Sequence, residues 1–275
     1  MKRLKTIFLI FLISCGDTEI ELPNGQELFV VEGWITNQNK QHWVKISTTV
    51  PFDDSRTENP VEDAIVSIED NAGIFPMTHS SNGLYLTNTF AGITARSYRV
   101  NIQLTTGEII QSGWERLNPL MPIDTIKYDF FDEPNPETGE DIQIYFPIVV
   151  SSDPVNETNF YRYKGFRNGQ LLNEPSELIL LNDQFVNGAT SLPNFIPELR
   201  YSFEDTIQVE LHSLTKASFQ FLELLKSQTT SLGSSSGTSP AALIGNLENI
   251  DDVNQVILGF FGASAVSSDT TIINQ

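Results

Sequence analysis

The chain has 275 residues, 40% of them hydrophobic, with 16 basic and 35 acidic side chains. This apolar fraction is sufficient for a packed core and argues against a disordered chain. The formal net charge of −19 disfavours nucleic acid and anionic lipid headgroups as partners, because both repel an acidic surface. Such acidity is typical of proteins that stay soluble outside the cell. The alternative interpretation is that the negative charge attracts cations or docks the protein to a basic surface.

The first 15 residues, MKRLKTIFLIFLISC, have the layout of a bacterial export signal. Three basic residues precede an apolar run at 7–13. As a helix this run would rise only about 10 Å, which is too short for a bilayer core of roughly 30 Å. The last four residues resemble a lipobox, the cleavage motif of lipoprotein precursors. We therefore predict a signal peptide at 1–14, lipidation of Cys15 and an acidic tether at 15–26.

Cys15 is the only cysteine, so a disulfide within the chain is excluded. An ordinary buried cysteine is the alternative, but the flanking residues are polar. Removal of the signal leaves 13 basic against 35 acidic residues, a net charge of −22. Gly16 rather than aspartate follows the cysteine, which favours the outer membrane over retention at the inner one. Whether the lipid-anchored protein faces the periplasm or the cell exterior stays open.

Residues 27–118 are dominated by alternation of apolar and polar side chains, the pattern of strands with one buried face. Tyr98, Val100 and Ile102, for example, alternate with polar neighbours. Short polar turns such as Asn82-Gly83 separate the segments, and no helical pattern intervenes. These features predict an antiparallel β-sandwich. The same segments resemble sandwiches of prealbumin or immunoglobulin type.

Two prolines at 117–122 mark a boundary, and residues 119–275 form a second β-rich domain in this interpretation. Asn168-Gly169 predicts a tight hairpin. Apolar residues recur at helical spacing, which predicts one amphipathic helix at about 214–229, capped by Ser213 or Thr215. The expected apolar face consists of Leu214, Ala217, Phe221, Leu224 and Leu225. The apolar segment 256–263 is expected to return to the core.

Several sequence segments resemble those of domain-of-unknown-function family 4249, a family of lipoproteins of Bacteroidota-type outer membranes. They cover nearly the whole mature chain and lie at 30–37, 44–47, 60–66, 83–85, 122–126, 160–162, 181–185, 208–228 and 258–263. The resemblance implies no catalytic residues, because the family has no established activity. It does imply an accessory or capturing role, because members are often encoded beside TonB-dependent transporters.

The sequence contains residue types that act in catalysis and metal binding, but they do not form a known motif. Common nucleophile, nucleotide and zinc motifs are missing, and the three histidines are isolated in the sequence, at 42, 79 and 212. The acidic pairs at 53–54, 132–133 and 251–252 could hold Ca²⁺, but none has the spacing of a calcium loop. Trp34, Trp43 and Trp114 could stack on a sugar, although core packing is the expected role for residues in strands.

The sequence therefore predicts no catalytic residue, no metal site and no cofactor. The leading hypothesis is a non-enzymatic outer-membrane lipoprotein that binds an unknown ligand as the accessory of a TonB-dependent transporter. The alternative is a surface hydrolase that acts on an exported polymer through carboxylates not yet identified.

Overall fold

The computed structural model describes residues 27–51, 58–152, 159–183, 191–231 and 243–274. The predicted signal peptide, Cys15 and the tether lie outside these residues. Before the predicted boundary the described strands are β1 (Phe29–Thr36), β2 (Trp43–Thr48), β3 (Asn59–Pro60), β4 (Ile65–Asp70), β5 (Ile74–Ser81), β6 (Leu84–Thr87), β7 (Ser97–Gln103), β8 (Ile109–Ser112) and β9 (Glu115–Arg116). After it they are β10 (Ile123–Pro134), β11 (Asp141–Ser151), β12 (Phe160–Arg167), β13 (Gln170–Leu171), β14 (Ile179–Asn182), β15 (Leu192–Phe195), β16 (Thr206–Leu214), β17 (Leu247–Asn249), β18 (Leu258–Ser264) and β19 (Val266–Ile272).

The predicted fold class is confirmed: the chain is mainly β, with sandwich-like packing and one α-helix, α1 (Lys216–Ser231), in the described residues. A single 3₁₀ turn lies at Pro175–Glu177. The strands follow the alternation of apolar and polar residues, as expected. In β7, Tyr98, Val100 and Ile102 are buried while the intervening side chains are half-buried. No described helix is long and apolar enough to cross a membrane.

The first sheet contains eleven strands, nine of them in the order β17-β8-β7-β4-β5-β6-β2-β1-β18, with β3 on β2 and β9 on β7. The two ends of this order approach each other, since Ile244, just before β17, forms a bridge with Leu258 of β18. The sheet is therefore nearly closed around one apolar core, in which Ile46, Ile68, Ile102 and Phe261 are fully buried.

Two strands of this sheet come from the end of the chain. β18 pairs with β1 from Val30↔Leu258 to Thr36↔Ser264, and this is the only parallel pairing among the described strands. β17 pairs with β8. The sheet that the sequence placed within 27–118 thus also contains strands from residues 247–264. The chain leaves this sheet at 117–122, returns to it for β17 and β18, and leaves it again before β19. The apolar segment 256–263 returns to the core as predicted.

The second unit consists of a three-stranded sheet, β10-β11-β15, and a five-stranded sheet, β13-β12-β16-β19 with β14 on β12. One face of the five-stranded sheet carries Tyr161, Tyr163, Val209 and Leu211, which pack with Val149 of β11 in a second core. The two sheets therefore enclose this core between them.

Helix α1 covers one end of the other face of the five-stranded sheet. Its start is capped by Thr215, whose Oγ1 accepts a hydrogen bond from the Ser218 amide at 3.0 Å. Phe219 and Leu222 are buried against this sheet. Phe221 instead stacks on Phe260 of β18 at a centroid distance of 4.9 Å. The helix therefore contacts both units.

A buried carboxylate also joins the two units. Glu115 of β9 is 4% exposed and accepts hydrogen bonds from Thr215 Oγ1 (2.7 Å), Ser218 Oγ (2.9 Å) and Asn246 Nδ2 (3.4 Å). Burial raises the pKa of the Glu115 carboxyl, and these three hydrogen bonds offset part of that rise. Glu115 thereby holds the start of the helix to the start of β9.

Candidate functional site

The hairpin formed by β10 and β11 extends beyond the sheet to which it belongs. β15 pairs only with Ile148–Ser151, and Tyr145 forms a last bridge to Tyr201. From there outward, β10 and β11 pair only with each other among the described strands, from Phe131↔Ile144 to Pro134↔Asp141. Residues 129–144, which we call the arm, therefore form a two-stranded ribbon with both faces accessible.

Aromatic rings lie on both faces of the arm. Phe130 is 45% exposed and lies 5.4 Å from Tyr145 between ring centroids, on the side of Phe203. Phe131 is 52% exposed and points to the other face, where it contacts Phe195 at 6.1 Å. Exposed phenylalanines on a ribbon that a protein does not need for its core are typical of a contact surface.

An open cavity of about 600 Å³ lies at the root of the arm. Its lining combines aromatic rings with polar side chains: Tyr128, Asp129, Phe130, Gln143, Tyr145, Phe203 and Asn274. The Tyr128 hydroxyl donates to the Asn274 carbonyl oxygen at 3.0 Å, and the Tyr145 hydroxyl donates to Gln143 Oε1 at 3.0 Å. The wall is therefore built by internal hydrogen bonds and presents mainly ring surface.

The arm is strongly acidic. Residues 129–141 contain six carboxylates and no basic residue: Asp129, Asp132, Glu133, Glu137, Glu140 and Asp141. Glu133 meets Arg200, whose guanidinium also lies 5.5 Å from the Phe146 ring centroid. The remaining acidic side chains give the arm a negative field around its exposed rings. This combination fits a partner surface that offers apolar sockets and a basic rim.

The predicted acidic pairs are placed as loop and arm residues. Asp132 and Glu133 belong to the arm, and residues 53–54 lie outside the described part of the chain. Asp251 Oδ2 accepts the Ile109 amide at 2.8 Å, and Asp252 Oδ1 accepts the Asn254 amide at 3.1 Å. The described residues contain no group of three or more potential metal ligands.

Two of the three tryptophans differ from the expected core role. Trp34 is half-buried and donates to Ser264 Oγ at 3.0 Å. Trp43 is 40% exposed and Trp114 is 48% exposed, so core packing was the wrong prediction for these two. The Arg99 guanidinium covers Trp114 at 4.6 Å from the ring centroid, and none of the three lines the cavity.

The histidines have mainly structural surroundings. His42 is fully buried; its Nδ1 accepts the Thr36 amide at 3.4 Å and its Nε2 lies 3.0 Å from the Phe90 carbonyl oxygen. Burial lowers the pKa of His42. His212 is 2% exposed and bonds Glu210 rather than solvent. His212, which the sequence shows as an isolated histidine, therefore has a carboxylate partner in the fold.

Sequence reasoning missed the arm because it did not identify β10. The signal was present: Ile126, Tyr128 and Phe130 alternate with polar Lys127 and Asp129 directly before the alternation of β11. What the alternation could not show is that neither face of the far end would be covered.

The fold and the arm together define a mainly β protein whose described surface exposes an acidic ribbon with aromatic rings on both faces. The chain belongs to a family described as domain of unknown function, DUF4249, which matches residues 17–270. No curated protein matches the chain.

Proposed function

We propose that this protein is a lipid-anchored outer-membrane lipoprotein that serves, without enzymatic activity, as the accessory of a TonB-dependent transporter and contacts it through the arm. The observation that carries this proposal is the pair Phe130 and Phe131, exposed on opposite faces of an acidic ribbon. Such a ribbon contributes little to the cores, so contact with a partner explains its exposed rings best.

The sequence supplies the remaining support. A lipid on Cys15 would confine the protein to the plane of the membrane and raise its effective concentration near a membrane partner. The family resemblance favours a TonB-dependent transporter as this partner, since genes of the family often lie beside transporter genes. The acidic arm further restricts the contact to a surface with a basic rim.

The hydrolase alternative requires two facing carboxylates at a defined separation. Among the described residues the buried carboxylates Asp70, Glu115 and Asp183 and the half-buried Glu210 are each held by different hydrogen-bond donors. No specific observation therefore favours the alternative.

Site-specific photocrosslinking in intact cells tests the accessory role. A photoreactive phenylalanine analogue at Phe131 should crosslink to a transporter barrel identified by mass spectrometry. The same analogue at the exposed Val253, on a loop of the first unit, should not. Phe130→Ser with Phe131→Ser should abolish co-purification of the barrel from detergent extracts. Ile74→Ser, which replaces an even more exposed apolar residue in β5, should preserve it. Equal crosslinking from both positions, or no barrel at either, would contradict the proposal.

A further inference from the structure

The five-stranded sheet carries a cluster of charged side chains on the face opposite its core. Register places Arg162 of β12 beside His212 of β16, and Lys164 beside Glu210, so the four side chains occupy two adjacent rows of one face. Helix α1 covers the neighbouring row, where Phe160 lies beside Leu214. We call these four residues the charged cluster.

The loop between β1 and β2 closes a second side of the charged cluster. Gln38 Nε2 donates to Glu210 Oε1 at 3.2 Å, and Lys40 Nζ donates to Gln38 Oε1 at 2.7 Å. The neighbouring Asn37 Oδ1 accepts the Val266 amide at 2.7 Å, which fixes the loop against β19. The charged cluster is thus enclosed by the helix and by a loop from the first unit.

Arg162 has no anionic partner in the part of the chain that the structure describes. Its Nε is enclosed and makes no hydrogen bond with any described residue, although the side chain as a whole is only half-buried. Burial lowers the pKa of Arg162 to about 10, so the guanidinium is charged at neutral pH. Four other arginines each meet a carboxylate: Arg96 with Asp70, Arg99 with Glu69, Arg167 with Asp205 and Arg200 with Glu133.

Lys164 is also left without an ion pair by any described residue. Glu210 lies directly opposite in register, but its carboxylate is engaged by Gln38 and by His212 Nε2 at 2.9 Å. Burial, and secondarily the charge of Arg162, lower the pKa of Lys164 to about 8. Two half-buried cations therefore lie side by side on one strand without a dedicated counter-ion.

The other two residues of the charged cluster, His212 and Glu210, together carry one negative charge. Burial lowers the pKa of His212 to about 4, so its ring is neutral at neutral pH. A neutral ring that donates from Nε2 to Glu210 leaves Nδ1 as an acceptor, and this atom has no partner among the described residues. Burial alone would raise the pKa of Glu210, but the His212 hydrogen bond, together with Gln38 and Lys164, lowers it to about 2. The charged cluster thus carries one uncompensated positive charge.

We propose that Arg162 and Lys164 form a binding site for a small monoanionic carboxylate. A guanidinium presents two parallel N–H donors that match the two oxygens of a carboxylate, and an adjacent ammonium adds a point charge. One negative charge neutralises the charged cluster, whereas the second charge of a dianion would meet the ionised Glu210. In a chain with a net charge of −19, such a site also requires local positive charge to hold an anion at all.

This inference goes beyond the accessory role and does not depend on it. It assigns a ligand class to the five-stranded sheet, whereas the arm belongs to the three-stranded sheet, and it concerns the purified protein alone. A negative result here leaves the transporter contact untouched, and failure to crosslink a transporter leaves this site untouched.

Calorimetric titration of the full chain with acetate tests the site, with acetamide as the neutral isostere. Acetate should bind saturably and acetamide should not. Arg162→Gln and Lys164→Gln should each weaken acetate binding by about tenfold or more, because each removes a charge-assisted hydrogen bond. Arg99→Gln removes the same charge from an arginine that already has a carboxylate partner, and it should leave the affinity within about twofold.

A second readout covers the case in which a variant fails to fold. The Arg162 Nε–H resonance of the wild-type protein should shift on addition of acetate and stay unchanged with acetamide. Three results would overturn the proposal: no saturable acetate binding, equal losses in Arg162→Gln and Arg99→Gln, or inorganic phosphate binding more than tenfold tighter than acetate.

Discussion

The indole of Trp34 in β1 lies against Gly262 of β18, its registered neighbour in the parallel pair. A Cβ atom at Gly262 would overlap three carbons of the Trp34 ring. The same indole donates to Ser264 Oγ, two residues along β18. The absence of a side chain at Gly262 therefore leaves the space in which Trp34 packs across the pair of β1 and β18.

Gly262→Ala should destabilise the protein by about 1–3 kcal/mol, the usual cost of overpacking. Denaturant unfolding monitored by circular dichroism measures this. Gly73→Ala is the matched control, since nothing lies within 4 Å of a Cβ at that position, and its stability should be unchanged or slightly higher. Trp34→Phe should recover part of the loss in the Gly262→Ala background; strictly additive effects would refute the contact as the cause.

Glu115→Gln should show a pH-dependent gain in stability over the wild type. Burial raises the pKa of Glu115 in the folded state, so the folded protein retains this proton to higher pH than the unfolded chain does. As pH rises through that interval the wild type loses stability, by up to about 1.4 kcal/mol per pH unit, and glutamine does not. Urea unfolding at pH 4.5 and 7.5 measures the difference. Glu248→Gln, which replaces an exposed carboxyl in β17, is the control, and an equal response of both variants would contradict the assignment to Glu115.

Phe130→Ser with Phe131→Ser should change the free energy of unfolding by less than about 1 kcal/mol per site, because both rings are about half exposed. Phe261→Ser in the first core should cost about 3–5 kcal/mol by the same measurement. A large loss from the arm variant would mean that the arm supports the fold and would remove the reason for calling it a contact surface.

Acetate affinity should fall about tenfold between pH 7 and pH 9 as Lys164 loses its proton, since burial lowers its pKa to about 8. Of the groups facing it, Glu210, His212 and Arg162 have pKa values of about 2, 4 and 10, outside this interval. Lys40, bound to Gln38 at the edge, is exposed. Lys164→Arg should bind acetate with a flat profile over this range. A fall of the same size in Lys164→Arg would assign the titration elsewhere.

Cys15→Ser should yield an unlipidated precursor. Mass spectrometry should find acyl chains on the wild-type N-terminal cysteine and none on the variant, and fractionation should move the variant out of the membrane pool. A soluble, unmodified wild-type protein would refute lipidation.

Local features were predictable from the sequence. Alternation of apolar and polar residues at Tyr98, Val100 and Ile102 predicted β7. The hairpin at Asn168-Gly169 is confirmed: both residues have positive φ and Arg167 pairs with Gln170. The helix was expected at about 214–229 and lies at Lys216–Ser231, because Leu214 still pairs in β16.

Relationships between distant segments were not predictable in the same way. The expected apolar face of the helix included Leu224, which is exposed, and omitted Phe219 and Leu222, which are buried. Helical spacing alone cannot tell which side meets a sheet. Gln38, which bonds Glu210, and Thr215, which bonds Glu115, likewise lie more than 90 positions from these carboxylates, and no local pattern encodes the contacts.

The parallel pairing of β1 with β18 sets an order of events in folding. Val30 can meet Leu258 only after the intervening chain has formed, so the first sheet cannot complete its edge while synthesis is in progress. Closing so long a loop before its contacts stabilise it slows folding of high-contact-order topologies. A nascent chain would therefore stay incompletely folded until its last strands emerge, and truncation after β16 would leave the first strand with an open, aggregation-prone edge.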